Sequence, residues 1–444
     1  MKKTSLIVGI LFIAFFSLSA QEKFSREQLW ADADTLYSSV SRIHLDLFLR
    51  YPQERFDPEF EQAKQELQDS MTAGDFYRIM SPVMNRLRDG HMQLDVHSVD
   101  AGRSDIFFPL TVDIDPEDYS MWIRSDYSDP PAGIAPGARI LTVNGRTSAE
   151  IVTDFLPYFP AELDQRKIRY MSYFQDFQRL FYLLYGEDRF RVEYEENGSV
   201  KTVELPAVEI TGSRLREMKT EWYGKPDYTI AFDEEKDLAI LEFNRFSNPE
   251  KFETFIREAF REIREKQVGH LIIDIRQNGG GNSSLGDELF QYISPVPFVQ
   301  FEKGTLRVTS QIKPYLPEEA SKIPDGELYT YYNTPMPLRE NEDRFTGKVY
   351  LLTSGASYSS AGSFPWAFRK FGMGTIIGEE SGTPGVTFGN PVTLTLPFTK
   401  IKYTPTTTKY YLWDYEGNED RGVVPDYEVP VPEALNFAIR LITE

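Results

Sequence analysis

From Leu271 to Gly281 the chain reads L-I-I-D-I-R-Q-N-G-G-G, and this run constrains the fold more than any other. Apolar β-formers that stop at turn residues predict a buried strand. Glycines just past a strand end let backbone N–H groups approach a ligand with no Cβ in the way. Such a nest of donors suits an oxygen that becomes negative during a reaction. Many nucleotide sites also begin with a Gly-rich turn after a strand. The phosphate fingerprints G-x-G-x-x-G and G-x-x-x-x-G-K-[ST] are absent from the run, however.

About eighty residues on, Lys348 to Ser354 is a second apolar strand. It enters Gly355-Ala356-Ser357-Tyr358-Ser359-Ser360-Ala361-Gly362 and then an apolar-periodic stretch closed by Gly372, which predicts strand–turn–helix. A Ser at such a turn stands above the sheet at a helix N-terminus, where developing negative charge is favoured. Ser357 or Ser359 could equally be a simple N-cap. Around these motifs, Leu238–Phe243 reads as a strand, and Pro249–Arg264 and Ser284–Ile293 read as helices. The alternation implies crossover units and a largely parallel sheet.

The ordered set D-x-R-x-N-G-G-G, S-Y-S-S-A-G, Gly378-Glu379-Glu380-Ser381-Gly382 and Gly422-Val423-Val424-Pro425-Asp426 resembles the tail-specific (C-terminal-processing) serine peptidases. The resemblance runs from about Lys236 to Val431 and is closest to their tricorn-like and interphotoreceptor retinoid-binding-protein-like branches. It implies an α/β fold: a crotonase-like ββα core with a mixed, largely parallel sheet. Laid onto this chain, the family pattern puts the nucleophile on Ser359. The N–H groups of Ser360 and of Gly279 or Gly280 become the oxyanion hole. One departure matters: Pro384 stands where many members carry a Lys base, and proline cannot accept a proton. Lys370 is no substitute, because eleven helical residues from Ser359 amount to ~16 Å of rise. The Ser hydroxyl still needs a base.

Four histidines are available. His44, in an amphipathic helical stretch, and His270, leading into the oxyanion-loop strand, read as structural. His91 and His97 flank Asp89-Gly90-His91-Met92-Gln93-Leu94-Asp95-Val96-His97, where Asp-Gly before a β-like alternation predicts a tight turn. Family branches without the Lys resemble this segment, and the resemblance implies His91 as general base, with His97 in reserve. Asp89, His91, Asp95 and His97 can also be written as a metal site, but the usual supporting ligands are missing, and none is expected. No cofactor is implied. The family's orienting acid aligns with Glu419, and Glu416 and Asp420 compete one register step or a few residues away. Asp274 and Arg276 are expected to pair and brace the glycine loop.

Residues 1–20 carry Lys2 and Lys3, a long apolar run and Ser17-Leu18-Ser19-Ala20, the pattern of a secretory signal peptide. This implies a periplasmic or secreted protein. The sequence has no Cys, so an exported chain would rely on core burial for stability. A formal charge of −20 without a basic patch argues against nucleic acid and anionic membrane surfaces as partners. Three regions are expected after the signal: a helical region over 21–100, a β-rich region over 101–215, and the peptidase core over 222–444. Ala132 to Arg146 resembles the x-G-I-x-x-G-x-x-I-L-x-V-N-G segment of PDZ domains, which implies a PDZ-like domain there. The aromatic stretch Ile168–Tyr185 reads as a packing helix, and Phe301–Arg344, without a period, as a substrate-side loop or lid. Together these readings point to an exported serine endopeptidase acting on peptides or proteins. Two alternatives stay open: a catalytically silent ligand-binding protein on the same scaffold, and an esterase-like hydrolase. Oligomeric state is not legible.

Overall fold

The computed structural model describes residues 21–99, 106–173, 176–209 and 225–444. The signal peptide expected over 1–20 lies outside them. Its centre is a six-stranded sheet in the order Tyr427–Glu428, Thr375–Gly378, Lys348–Thr353, His270–Asp274, Leu238–Phe243, Tyr228–Asp233. Every neighbouring pair is parallel except the last, which is antiparallel. Alternate residues of one strand serve different cores: Leu271 and Ile273 face the helices 249–265, 284–293 and 360–370, while Ile272 faces the carboxyl-terminal helix 434–443. Burial on both faces explains why the central strands read as unbroken apolar runs.

A second, antiparallel sheet runs Leu328–Tyr332, Lys303–Arg307, Thr406–Tyr411, Val386–Pro391. The stretch expected as a lid therefore holds two of its strands. Leu328–Tyr332 is the edge strand, exposed or half-buried along its length. Its half-buried face is Tyr329 and Tyr331, but its outward positions include Leu328 and Tyr332, so no apolar–polar alternation marks it and the sequence reads there as loop.

Toward the amino terminus, helices Arg26–Ile43, Gln53–Glu66 and Ala73–Met84 precede a five-strand antiparallel path from Leu110 to Pro206. Within it, Asn144 and Gly145 both take positive φ, 51° and 81°, joining Arg139–Val143 to Arg146–Thr147 in the turn that Asn-Gly favours. The aromatic stretch is two helices, Asp164–Tyr173 and Asp176–Tyr185, with Phe177 and Phe181 buried. Helical and β-rich regions share one continuous apolar core, which also takes in Leu396, Ile401 and Tyr403 from the carboxyl-terminal half. That excursion ties the layers together: the Asp95 N–H donates to the Lys402 carbonyl at 2.8 Å, and Asp32 accepts from the Phe398 and Thr399 N–H groups at 2.9 and 2.7 Å.

Candidate active site

Ser359 joins strand 348–353 to helix 360–370 with φ 55° and ψ −125°, a region that non-glycine residues rarely occupy. Such a conformation persists only where its surroundings over-determine it. Here the glycine loop does so. The Tyr358 N–H donates to the Asn278 carbonyl at 3.0 Å, and the hydroxyls of Ser357 and Ser360 donate to the carbonyls of Ile275 and Gly281 at 2.8 and 2.6 Å. Gly280 lies so close to the turn that a Cβ there would stand 2.9 Å from the Ser360 nitrogen. Ser357 is thus a buried structural hydroxyl. The Ser359 side chain makes no capping bond, so the N-cap reading fails for it.

The Ser359 hydroxyl instead meets His91, whose Nε2 lies 3.0 Å from its Oγ. His91 reaches this place from the helical layer. The Asp89 carboxylate accepts the His91 backbone N–H at 2.9 Å, the Thr404 hydroxyl donates to the His91 carbonyl at 2.8 Å, and the Thr404 N–H donates to the Gln93 carbonyl at 3.0 Å. The other Asp89 oxygen accepts from His44 Nε2 at 3.2 Å and from the Thr406 hydroxyl. His44 Nδ1 accepts the Asp46 N–H at 3.1 Å, so its ring proton sits on Nε2 and points at Asp89. Burial alone would push the Asp89 carboxyl up. The bond from His44, the neighbouring imidazoles of His44 and His91 and the bond from Thr406 outweigh burial and hold it below the usual carboxylate range.

On its far side, His91 Nδ1 lies 2.9 Å from the Tyr358 hydroxyl, which in turn lies 3.2 and 3.1 Å from the two carboxylate oxygens of buried Glu162. Burial, then the charges of Glu162 and Asp89, push the Tyr358 hydroxyl well above its ordinary range. Asp89, His91 and Glu162 each bring a possible ligand atom to within 4.8 Å of the others. Those groups already hold protein partners: Thr406, His44 and the backbone for Asp89, Ser359 and Tyr358 for His91, and Tyr358 and Thr387 for Glu162.

A serine hydroxyl on a strained strand–helix turn, an imidazole in contact with it and a glycine loop against both form a hydrolase constellation. The sequence model of peptidase family S41 matches residues 237–429, which span the glycine loop and the Ser359 turn. Residues 237–429 thus carry the sequence pattern of that family. It is a serine-type peptidase. No curated protein sequence matches the chain. Among solved structures, it is similar to a mutant of CPAF (12% identity, TM-score 0.67) and to mature CPAF (13%, 0.62), in both cases over 94% of this chain and 96% of the other. Those similarities concern the fold. The photosystem II D1 C-terminal processing protease matches over 95% of this chain and 98% of its own at 15% identity, with a TM-score of 0.45.

In this S41 peptidase the other expected site residues separate into those at the turn and those away from it. The Gly280 N–H already donates to Asn278 Oδ1 at 2.9 Å. Among the described residues, the N–H groups of Gly279 and Ser360 have no such acceptor. Among the described residues, the hydrogen-bond partners of the His91 ring are Ser359 and Tyr358, and Glu419 is not one of them. It is exposed on the acidic loop, where its backbone carbonyl accepts from Arg50 at 2.9 Å, and Nδ1 is met by Tyr358 instead. Asp420 pairs with Arg50 on the same loop, and Glu416 is exposed there. The family pattern aligns the loop's sequence, and Arg50 holds that loop through the Asp420 carboxylate and the Glu419 carbonyl. His97 sits half-exposed against Asp176 at 2.7 Å. His270 stacks on Tyr350, and Lys370 pairs with Asp414. Asp274 and Arg276 do pair, with Arg276 Nε 2.9 Å from Asp274 Oδ1. A cleft of about 1230 Å³ opens beside the glycine loop at Gln277, lined also by Trp122 and Arg276 but by neither Ser359 nor His91. Sequence reasoning missed Glu162 and gave Tyr358 no role. The one local signal was a Tyr immediately preceding the nucleophile position.

Proposed function

We propose that this S41 peptidase is an exported endopeptidase in which Ser359 is the nucleophile and His91 the general base. The Ser359 Oγ bonds to a peptide carbonyl carbon while its proton passes to His91 Nε2. The carbonyl oxygen becomes an oxyanion, facing the N–H groups of Ser360 and Gly279. Collapse breaks the C–N bond, and Nε2 returns the proton to the leaving amine. Water then releases the acyl group by the same path in reverse. The observation that carries the reading is the 3.0 Å separation between His91 Nε2 and Ser359 Oγ, made across two layers of the molecule. The oxyanion assignment rests on N–H groups at Gly279 and Ser360 that have no acceptor among the described residues. Each such donor is worth about 3 kcal/mol of transition-state stabilisation. Export rests on the pattern of residues 1–20, and the PDZ-like reading of the β-rich region rests on its Asn144-Gly145 hairpin.

The test is fluorophosphonate labelling with peptide hydrolysis. Wild type should be modified at Ser359, and Ser359→Ala should lose labelling and cleavage with little change in melting temperature. A folded wild-type chain that stays unlabelled would instead favour the silent ligand-binding protein.

A further inference from the structure

The geometry points to Tyr358 and Glu162 as a positioning pair that sets the tautomer of His91, in the place where a serine hydrolase commonly holds a carboxylate against the ring. The inference rests on the Ser359–His91 reading above.

It follows from counting protons. The phenol has one proton to give and lone pairs to accept with, whereas a carboxylate only accepts. Tyr358 Oη faces both Glu162 oxygens, at 3.2 and 3.1 Å, so its proton goes to Glu162. The 2.9 Å contact with His91 then has one polarity left, with Nδ1–H donating to the phenol oxygen. A neutral imidazole carries a single ring proton. With that proton on Nδ1, Nε2 presents its lone pair to the Ser359 hydroxyl, as a general base must. Were the phenol proton directed at Nδ1, Nε2 would carry the hydrogen and could not take another. Glu162 thus controls which nitrogen is basic without touching the ring.

The surroundings fix this chain of bonds. Thr387 Oγ1 donates to Glu162 Oε1 at 3.2 Å. The Arg166 guanidinium lies 4.2 Å from the centre of the Tyr358 ring, and that ring stacks on His91 at 4.8 Å. A Cβ on Gly90 would overlap Tyr358 Oη and approach Glu162 Oε2 to 2.6 Å, so glycine is required for the phenol and carboxylate to close over the histidine. The competing acid, Asp89, spends its oxygens on the His91 backbone N–H, His44 and Thr406. With its proton held by Glu162 and its ionisation opposed by burial, Tyr358 relays orientation, not charge.

The test combines kinetics with ¹⁵N NMR of the full chain labelled at histidine, which is tractable with four histidines in the sequence. In wild type, His91 should show a protonated Nδ1 and a bare Nε2. Glu162→Gln, whose amide can donate to the phenol oxygen and release its proton toward Nδ1, should shift the ring toward Nε2–H. It should also lower kcat/KM by about a hundredfold or more at little change in KM, in the direction of the ~10⁴ loss seen when a triad carboxylate becomes its amide. Tyr358→Phe should cost less, on the order of tenfold, because a free ring still samples the active tautomer. The double variant should be no worse than Tyr358→Phe, since without the phenol Glu162 has nothing to direct. A wild-type ring protonated on Nε2, full activity in Glu162→Gln, or losses that multiply in the double variant would each overturn the assignment. If Glu162→Gln fails to fold, the wild-type spectrum alone decides. Fluorophosphonate labelling in parallel separates the two readings. No label at Ser359 defeats the nucleophile assignment, whereas a labelled Ser359 with unaltered Glu162→Gln kinetics defeats only the tautomer assignment.

Discussion

Asp89-Gly90-His91 and Asp95-Val96-His97 are two turns of the same local design, six residues apart. In each, the Asp carboxylate accepts the N–H of the histidine two residues on, at 2.9 Å. Their fates are opposite. His91 is carried under the Ser359 turn between Tyr358 and Asp89, while His97 points outward to Asp176. The middle residue differs for a reason. Gly90 leaves room for Tyr358 and Glu162 where any side chain would collide, whereas Val96 packs its side chain into the apolar core. A backbone motif can hold a histidine; what the histidine then does depends on what the rest of the chain brings to it.

The strongest way to break this comparison is to truncate both histidines. His91→Ala should lower kcat/KM by ~10³–10⁴, and His97→Ala should leave it within about twofold, both read from peptide hydrolysis. Equal losses would erase the contrast. Next, Gly90→Ala should cost on the order of a hundredfold in activity, since displacing a catalytic group by even ~1 Å costs about that much. An unchanged rate would mean the Tyr358–Glu162 contact can move aside without consequence. Third, the two aspartates should differ in stability. Asp89→Asn breaks a buried, hydrogen-bonded site and should cost about 3 kcal/mol. Asp95→Asn, at a short helical turn, should cost under ~1 kcal/mol. Because the folded Asp89 pKa is depressed, its stabilisation is complete above the unfolded carboxyl value of ~3.9 and fades as pH falls through the lower folded value. Urea midpoints of wild type and Asp89→Asn should therefore converge in acid; a gap that widens there would reverse the sign. Smallest of all, Asp176→Asn should change stability by less than ~0.5 kcal/mol, as expected for a half-exposed pair.

The legible parts of the site are those whose chemistry is written in neighbouring residues. The run from Leu271 to Gly281 and the turn at Ser359 each combine a strand, small residues and a helix start within a dozen positions, and the glycine loop and turn are built from them. The contact of His91 with Ser359 was expected from Asp-Gly together with the family pattern. The Tyr358–Glu162 contact behind the ring was not. The family pattern pointed to Glu419, whose loop is bonded to Arg50 at its Glu419 carbonyl and Asp420 carboxylate. Glu162 sits in Pro160-Ala161-Glu162-Leu163 with nothing nearby to mark it, and 196 residues separate it from Tyr358. Nor did apolar pattern reveal the edge strand Leu328–Tyr332, because apolar Leu328 and Tyr332 stand on its exposed face beside Tyr329 and Tyr331 on its half-buried one.

Taken by itself, the amino-acid order determined the strands of the core, the serine turn, the glycine loop and the Asp-Gly turn that holds His91. All are local matters of backbone freedom, apolar period and side-chain chemistry. Tertiary structure alone decided that Tyr358 and Glu162 lie behind the ring of His91. Such a choice depends on distances between segments hundreds of residues apart, and a single hydrogen-bond chain through Tyr358 is formed or lost over an ångström that no spacing along the chain encodes.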